Sequence, residues 1–262
     1  MHGTPLAREQ LSVRIGLFIP CYVDQLFPEV GFAALRLLEQ HSVDVAVMDA
    51  PSCCGQPLIN SGAVEAARDL ADSFAQGSQG FDAIVTPSGS CVTILRTNPA
   101  RYSQAVADPK TPPQVYELTQ FLVEVLGVRR VQARFERRVG VLRSCHALRG
   151  LRLGRCSERP HAGHAADVSP AEFLLDSVQG IEVVEAHRVD ECCGFGGSFS
   201  VLEPDISTKM GLDRLRDFEL AGAEVITSTD VSCLMHLDGL ARSGGLAVRT
   251  LHVAQILAGE AA

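Results

Sequence analysis

Hydrophobic positions along the chain alternate between short unbroken runs and longer stretches at helical spacing. Residues 13–19 (VRIGLFI) form one run, ending at Pro20-Cys21, and residues 32–39 then repeat apolar side chains at helical intervals. Residues 43–48 (VDVAVM) are the next run and empty into Pro51-Ser52-Cys53-Cys54-Gly55. Residues 64–74 mix alanines with charges as a surface helix does. Residues 81–86 (FDAIVT) run into Pro87-Ser88-Gly89-Ser90-Cys91, and the apolar residues after Cys91 predict a further helix. Short apolar runs of this kind suit strands buried on both faces, as in parallel sheets covered by helices. The order is β-α-β-α-β-α with cysteines at three successive strand ends. A polar, proline-bearing loop at 101–113 leads to residues 115–125, which read as an amphipathic helix.

The pattern then begins again. Residues 138–142 (RVGVL) lead to Arg143-Ser144-Cys145-His146, residues 181–185 (IEVVE) to Cys192-Cys193-Gly194, and residues 224–227 (EVIT) to a segment ending at Cys233. Residues 248–257 close this half as 115–125 close the first. Each half supplies a single, a double and a single cysteine: 31 and 36 residues flank the first pair, 46 and 39 the second. The longer gap holds residues 149–170, rich in Arg, Gly and His, which read as an inserted surface loop. The expectation is an α/β fold of two pseudo-repeated lobes, 1–127 and 128–262, each a mostly parallel sheet flanked by helices with cysteines at the strand carboxyl ends.

A chain of 262 residues with 46% hydrophobic and 21% charged residues can build a large core, and the expectation is two domains of ordinary size. Its formal charge of −8 argues against nucleic acid or an anionic membrane as partner. Residues 1–12 carry no secretory pattern, and no stretch reaches the roughly 20 apolar residues of a transmembrane helix. The expected location is the cytoplasm, where thiols stay reduced and nine cysteines serve better as ligands or catalysts than as a disulfide framework.

Neighbouring side chains on a strand face opposite ways, so a Cys-Cys pair can aim both sulfurs at one object only where the backbone leaves regular geometry, which the following glycines permit. In an open parallel sheet, loops at the carboxyl ends of adjacent strands converge on one crevice. Four thiols per half, Cys21, Cys53, Cys54 and Cys91, then Cys145, Cys192, Cys193 and Cys233, match the ligand number of an iron–sulfur cluster or of zinc. Gly194, Gly196 and Gly197 would let backbone N–H groups approach the sulfurs. Three readings stay open: a redox cluster, a structural zinc site, and metal-free thiol–disulfide chemistry. Cys156 has no counterpart and reads as a small buried hydrophobe. His146 and His236 are candidate ligands, though histidines that only hydrogen-bond are commoner. Asp230 and Ser88, each three residues before a cysteine, read as helix caps in preference to ligands. Arg143, Arg149 and Arg152 either attract an acidic partner or form a solvated basic face. No Gly-x-Gly-x-x-Gly follows the first strand, so no nicotinamide or flavin site is expected.

Together, Pro20-Cys21 with Leu26-Phe27-Pro28, Cys53-Cys54-Gly55-Gln56-Pro57, Thr86 to Cys91 (TPSGSC), Ser144-Cys145-His146, residues 191–197 (ECCGFGG) and residues 230–236 (DVSCLMH) resemble the cysteine-rich CCG-domain proteins. The resemblance is closest to the lactate-utilisation protein A group of iron–sulfur oxidoreductase subunits. More distant relatives are the heterodisulfide reductase B subunit and the iron–sulfur subunit of glycolate oxidase. It implies an electron-transfer subunit that binds one cluster per repeat, [4Fe-4S] in type, through the eight cysteines above. It also implies work with a ferredoxin-like iron–sulfur protein and a third subunit in oxidising L-lactate to pyruvate. The sequence departs from the heterodisulfide reductase pattern at Ser88 and Asp230, which stand where those relatives have a cysteine, so each half offers four thiols instead of five. A four-iron cluster, a smaller one and zinc all remain compatible with that set.

Overall fold

The computed structural model describes residues 13–50, 53–97, 113–158 and 168–259. Residues 1–12, most of the 101–113 loop, part of the 149–170 insertion, and Pro51 and Ser52 beside the first cysteine pair lie outside the described residues.

In the first half the chain runs β1 (Arg14–Leu17), α1 (Cys21–Leu26), α2 (Pro28–Glu39), β2 (Asp44–Val47), α3 (Gln56–Asn60), α4 (Val64–Gly77), β3 (Ala83–Thr86), α5 (Gly89–Thr97), β4 (Gln114–Glu117) and α6 (Leu118–Gln120), the last continuing into a π-helical turn, Phe121–Val125. The second half repeats the plan: β5 (Arg138–Val141), a π-helical turn (His146–Gly150), α7 (Pro170–Leu175), β6 (Glu182–Val184), α8 (Ser198–Leu202), α9 (Pro204–Leu220), β7 (Val225–Ser228), α10 (Val231–Gly244), β8 (Arg249–His252) and α11 (Val253–Leu257). Prolines at the first helical position start α2, α7 and α9, where their missing N–H leaves no intrahelical bond unmade.

Two four-stranded, all-parallel sheets result, ordered β2-β1-β3-β4 and β6-β5-β7-β8. The fold class is the expected α/β arrangement, with one correction. Residues 115–125 and 248–257 are not single amphipathic helices: each opens as a fourth strand, β4 or β8, and only then turns helical. The buried caps Glu117 and His252 mark the switch, Glu117 accepting from the amides of Thr119 and Gln120 and His252 Nδ1 from that of Ala254. Apolar residues at strand and helix spacing overlap in so short a window, and pairing with β3 and β7 decides between them.

The largest core lies between the sheets and is common to both halves. It joins Ile15, Leu17 and Val85 of one sheet to Val139 and Val225 of the other through Leu37, Leu38, Phe121, Leu174, Ile256 and Leu257. Helix α2 packs on α11, and α6 on α7, so each half closes its neighbour's inner face. Smaller clusters cover the outer faces, around Phe218 and Ile226 on one side and Phe18 and Ile84 on the other. We propose 127/128 as the handover between repeats, with the shared core making them interdependent.

Candidate metal centre

Parallel pairing puts the carboxyl ends of β2, β1 and β3 side by side, and likewise those of β6, β5 and β7. Each of these six ends releases cysteine. Cys21 opens α1, Cys53-Cys54 precede α3, and Cys91 sits in the first turn of α5; Cys145 precedes the π-helical turn, Cys192-Cys193 precede α8, and Cys233 sits in the first turn of α10. All eight line one crevice between the halves. Cys91, Cys193 and Cys233 are buried, whereas Cys21, Cys53, Cys54, Cys145 and Cys192 are partly exposed. Cys156 is buried elsewhere, its Sγ 3.7 Å from Glu158 Oε2, and does not line the crevice.

Both cysteine pairs turn in the same way. Gly55 and Gly194 take φ of +85° and +88°, a left-handed conformation that glycine enters without a Cβ penalty. In consequence the Gly55 N–H donates to Cys53 Sγ and that of Gly194 to Cys192 Sγ, each at 3.4 Å; the Phe195 N–H donates to Cys193 Sγ at 3.5 Å. Backbone donors aimed at sulfur favour the thiolate.

The thiols share protons within each quartet. The proton held by Cys21 lowers Cys53 to about 6, with the Gly55 N–H assisting and burial opposing. Cys192 is lowered by Cys145 and Cys193 in the same manner. The partners move the other way. Cys21 and Cys145 are raised by the hydrogen bond each makes to its thiolate neighbour, then by burial; Cys91 is raised by Cys54 and Cys193 by Cys192 and Cys233. Cys193 Sγ lies 2.9 Å from Cys233 Sγ. Among the described residues lining the crevice none is Lys or Arg, so gathering four anionic sulfurs in either half is costly without a bound cation. Among the described residues, no three His, Cys, Asp or Glu side chains are grouped as for a single metal ion.

The halves interlock around the crevice. Tyr22 meets Phe195 edge-on, ring centroids 5.9 Å apart, and Gln56 Nε2 lies 3.2 Å from His146 Nε2. Gly89 and Gly150 allow close approach: a Cβ on the first would sit 2.6 Å from Ala147 Cβ, and one on the second 2.5 Å from Thr93 Cγ2. The Thr93 hydroxyl donates to the His146 carbonyl at 3.0 Å. Beneath lies Asp230, 1% exposed, and its role differs from the expected cap. It occupies the N-cap position of α10 without a side-chain capping bond. Its carboxylate instead crosses to the other half, accepting from the hydroxyls of Ser88 (2.8 Å) and Ser90 (2.7 Å) and from the Ser90 amide, and it also accepts from the Ser144 hydroxyl of its own half. Ser88 is a cap as expected, its Oγ accepting from the Cys91 N–H at 3.2 Å.

His146 lines the crevice, with Nδ1 3.6 Å from Cys145 Sγ; His236 does not, and faces the Ser207 carbonyl and the Phe195 ring. Arg143 is paired with Glu172 and Glu185, and Arg149 forks onto Glu158, so both serve the fold; Arg152 is exposed. Ser90, Ser144, Tyr22 and Phe195 also belong to the site, though their residue types alone do not single them out. A serine beside a cysteine signals a local cap or turn, and nothing in its neighbours announces a partner some 86 or 140 residues away.

The family model for the cysteine-rich domain (CCG) matches residues 15–96 and 139–238, one copy on each cysteine quartet's scaffold. The chain belongs to the cysteine-rich CCG-domain family. Curated relatives of this CCG protein include lactate utilization protein A from Exiguobacterium sp., 36% identical, covering 93% of this chain and 96% of that one, and its namesake from Macrococcus caseolyticus, 34% identical over 94% and 96%. Lactate utilization protein A 1 from Bacillus mycoides is 33% identical over 94% and 96%. A crystal structure of a hypothetical protein from Helicobacter pylori superposes on the CCG protein with a TM-score of 0.57 at 11% identity, a likeness of fold. The match covers 95% of this chain, which spans about half (49%) of that one.

Proposed function

We propose that this CCG protein is an iron–sulfur-binding electron-transfer subunit of a cytoplasmic system that oxidises L-lactate to pyruvate. The observation that carries the reading is that eight thiols from six strand ends line one crevice, each cysteine pair with a backbone N–H aimed at its first sulfur. Cys21, Cys53, Cys54 and Cys91 would hold one cluster, and Cys145, Cys192, Cys193 and Cys233 a second. A thiolate-rich set suits iron–sulfur clusters, which supply one-electron redox capacity when bound, and amide donors to sulfur tune their potential. The chain's own part is to surrender thiol protons on binding, to fix the sulfurs on the turns and first helical turns at the strand ends, and to limit water through Tyr22 and Phe195. The name these relatives carry supports a place in lactate utilisation. A ferredoxin-like iron–sulfur protein and a third subunit are the proposed partners. No catalytic residue is assigned; among the described residues no helix is long and apolar enough to cross a membrane.

Protein purified without oxygen should contain iron and acid-labile sulfide and show a visible absorption that bleaches on reduction. Cys54→Ala and Cys193→Ala should each lose iron while Cys156→Ala keeps it. Equal retention in all three variants would refute the assignment, and stoichiometric zinc without a redox signal would make the centre structural.

A further inference from the structure

A second, smaller cavity lies behind the crevice wall. It measures about 30 Å³ and is lined by Glu117, Thr119, Arg143, Ser144, Thr227, Ser228 and mainly aliphatic neighbours. A volume above about 10–15 Å³ admits one water, provided polar partners surround it. Two are on hand. Glu117 and Thr227 are both fully buried, and both Glu117 Oε1 and Thr227 Oγ1 lack a hydrogen-bond partner. The other Glu117 oxygen, Oε2, takes every bond the carboxyl receives, from the Thr119 and Gln120 amides and the Thr119 hydroxyl. Ser144 lines both this cavity and the cysteine crevice, and its hydroxyl donates to Asp230, itself a crevice residue.

We propose that Glu117 and its cavity form a buried proton-holding site, linked by a cavity water and by Ser144 and Asp230 to the cysteine crevice, so that negative charge gained in the crevice is matched by a proton on Glu117. Burial pushes the Glu117 carboxyl up to about 7, its hydrogen bonds to Thr119 and Gln120 opposing and the charge of Asp230 adding. The charged groups facing it are few. Asp230 lies on the second half; Arg143, on the cavity wall, is engaged by Glu172 and Glu185; Arg96 on α5 is engaged by the Val115 carbonyl and Gln120. In the coupled step one electron enters the crevice and one proton from solvent converts the Glu117 carboxylate to the acid, both leaving again on oxidation. The redox half of this statement rests on the function proposed above; the proton site does not.

Infrared spectroscopy of the full-length, reduced, metal-free chain across pH tests the site. A carboxylic-acid carbonyl band should persist to near-neutral pH and vanish in Glu117→Gln. In Asp230→Asn, which leaves Glu117 untouched, its midpoint should fall as a facing negative charge is removed. A band that survives Glu117→Gln, or a midpoint unmoved in Asp230→Asn, overturns the proposal. In iron-loaded protein the reduction potential should fall with rising pH in wild type and flatten around neutrality in Glu117→Gln; equal slopes overturn the coupling. Failure to take up iron would sink the function above, while the metal-free titration would still decide the proton site.

Discussion

The two glycines that follow the cysteine pairs share a backbone conformation but not a neighbourhood, and this difference can be measured. A Cβ at Gly55 would meet only ordinary contacts, the nearest 3.9 Å away at Ala67 Cβ and Leu70 Cδ1. A Cβ at Gly194 would sit 2.7 Å from both Met210 Cβ and the Ser207 carbonyl oxygen, inside any tolerable contact and against backbone that cannot swing away. Gly55→Ala should therefore lose only the left-handed preference, about 1–2 kcal/mol. Gly194→Ala should lose that and add an overpacking cost of about 1–3 kcal/mol, because α9 has to shift. Urea unfolding of reduced, metal-free protein keeps ligand binding out of the comparison. With a slope of about 3 kcal/mol/M, Gly194→Ala should unfold some ~0.3–1 M earlier than Gly55→Ala. Both variants keep their N–H groups, so a larger iron loss in Gly194→Ala would follow from the displaced pair and not from a lost donor. Equal midpoints, or a greater loss at Gly55, would refute the reasoning.

Removing the Asp230 carboxylate leaves three serine hydroxyls and one amide without their shared acceptor, so Asp230→Ala should cost about 2–4 kcal/mol in thermal or chemical unfolding, with Asp230→Asn losing less. Glu117 and His252 should tilt stability in opposite directions with pH. The native state holds the Glu117 proton between its ordinary value of 4.5 and about 7, so that contribution falls as pH rises; His252, lowered by burial from 6.5 to about 4, contributes stability that falls as pH drops through this range. Each is worth on the order of 3 kcal/mol, and they largely cancel. Glu117→Gln should unmask a loss toward acid and His252→Asn a loss toward neutral pH in melting-temperature profiles; unaltered profiles in both would reject the assignment. Because Leu37 and Leu257 belong to one core, Leu257→Ala should cost about 2–5 kcal/mol and calorimetry should show one transition, whereas separate melting of the halves would contradict a shared core.

Much of the scaffold was legible in the residues. Largely apolar runs such as VRIGLFI and FDAIVT read as strands of a covered parallel sheet, and such runs mark six of the eight strands among the described residues. The last strand of each half was read as helix, since a four-residue strand feeding directly into a helix carries no periodicity long enough to separate the two. The cysteines were legible for a related reason. Paired thiols followed by glycine repeat at matching strand ends, and parallel topology brings such ends together without further information.

Other features were set by packing between distant segments. Asp230 and Ser88 hold equivalent positions before equivalent cysteines, yet Ser88 caps its helix whereas Asp230 reaches across to two serines of the opposite half and binds Ser144 of its own. Local sequence favours the cap in both; the outcome depends on how closely Gly89 and Ala147 let the halves approach. In the same way, nothing local in Glu117 announces a buried carboxyl with one unpartnered oxygen, for burial belongs to the elements that close over a residue. The chain's own order of residues determined which atoms could bind metal and on which strand ends they would stand. Only the tertiary structure decided that both quartets open into one crevice and what lies behind it, because side-chain identity is carried locally whereas desolvation and charge partnership arise where remote segments meet.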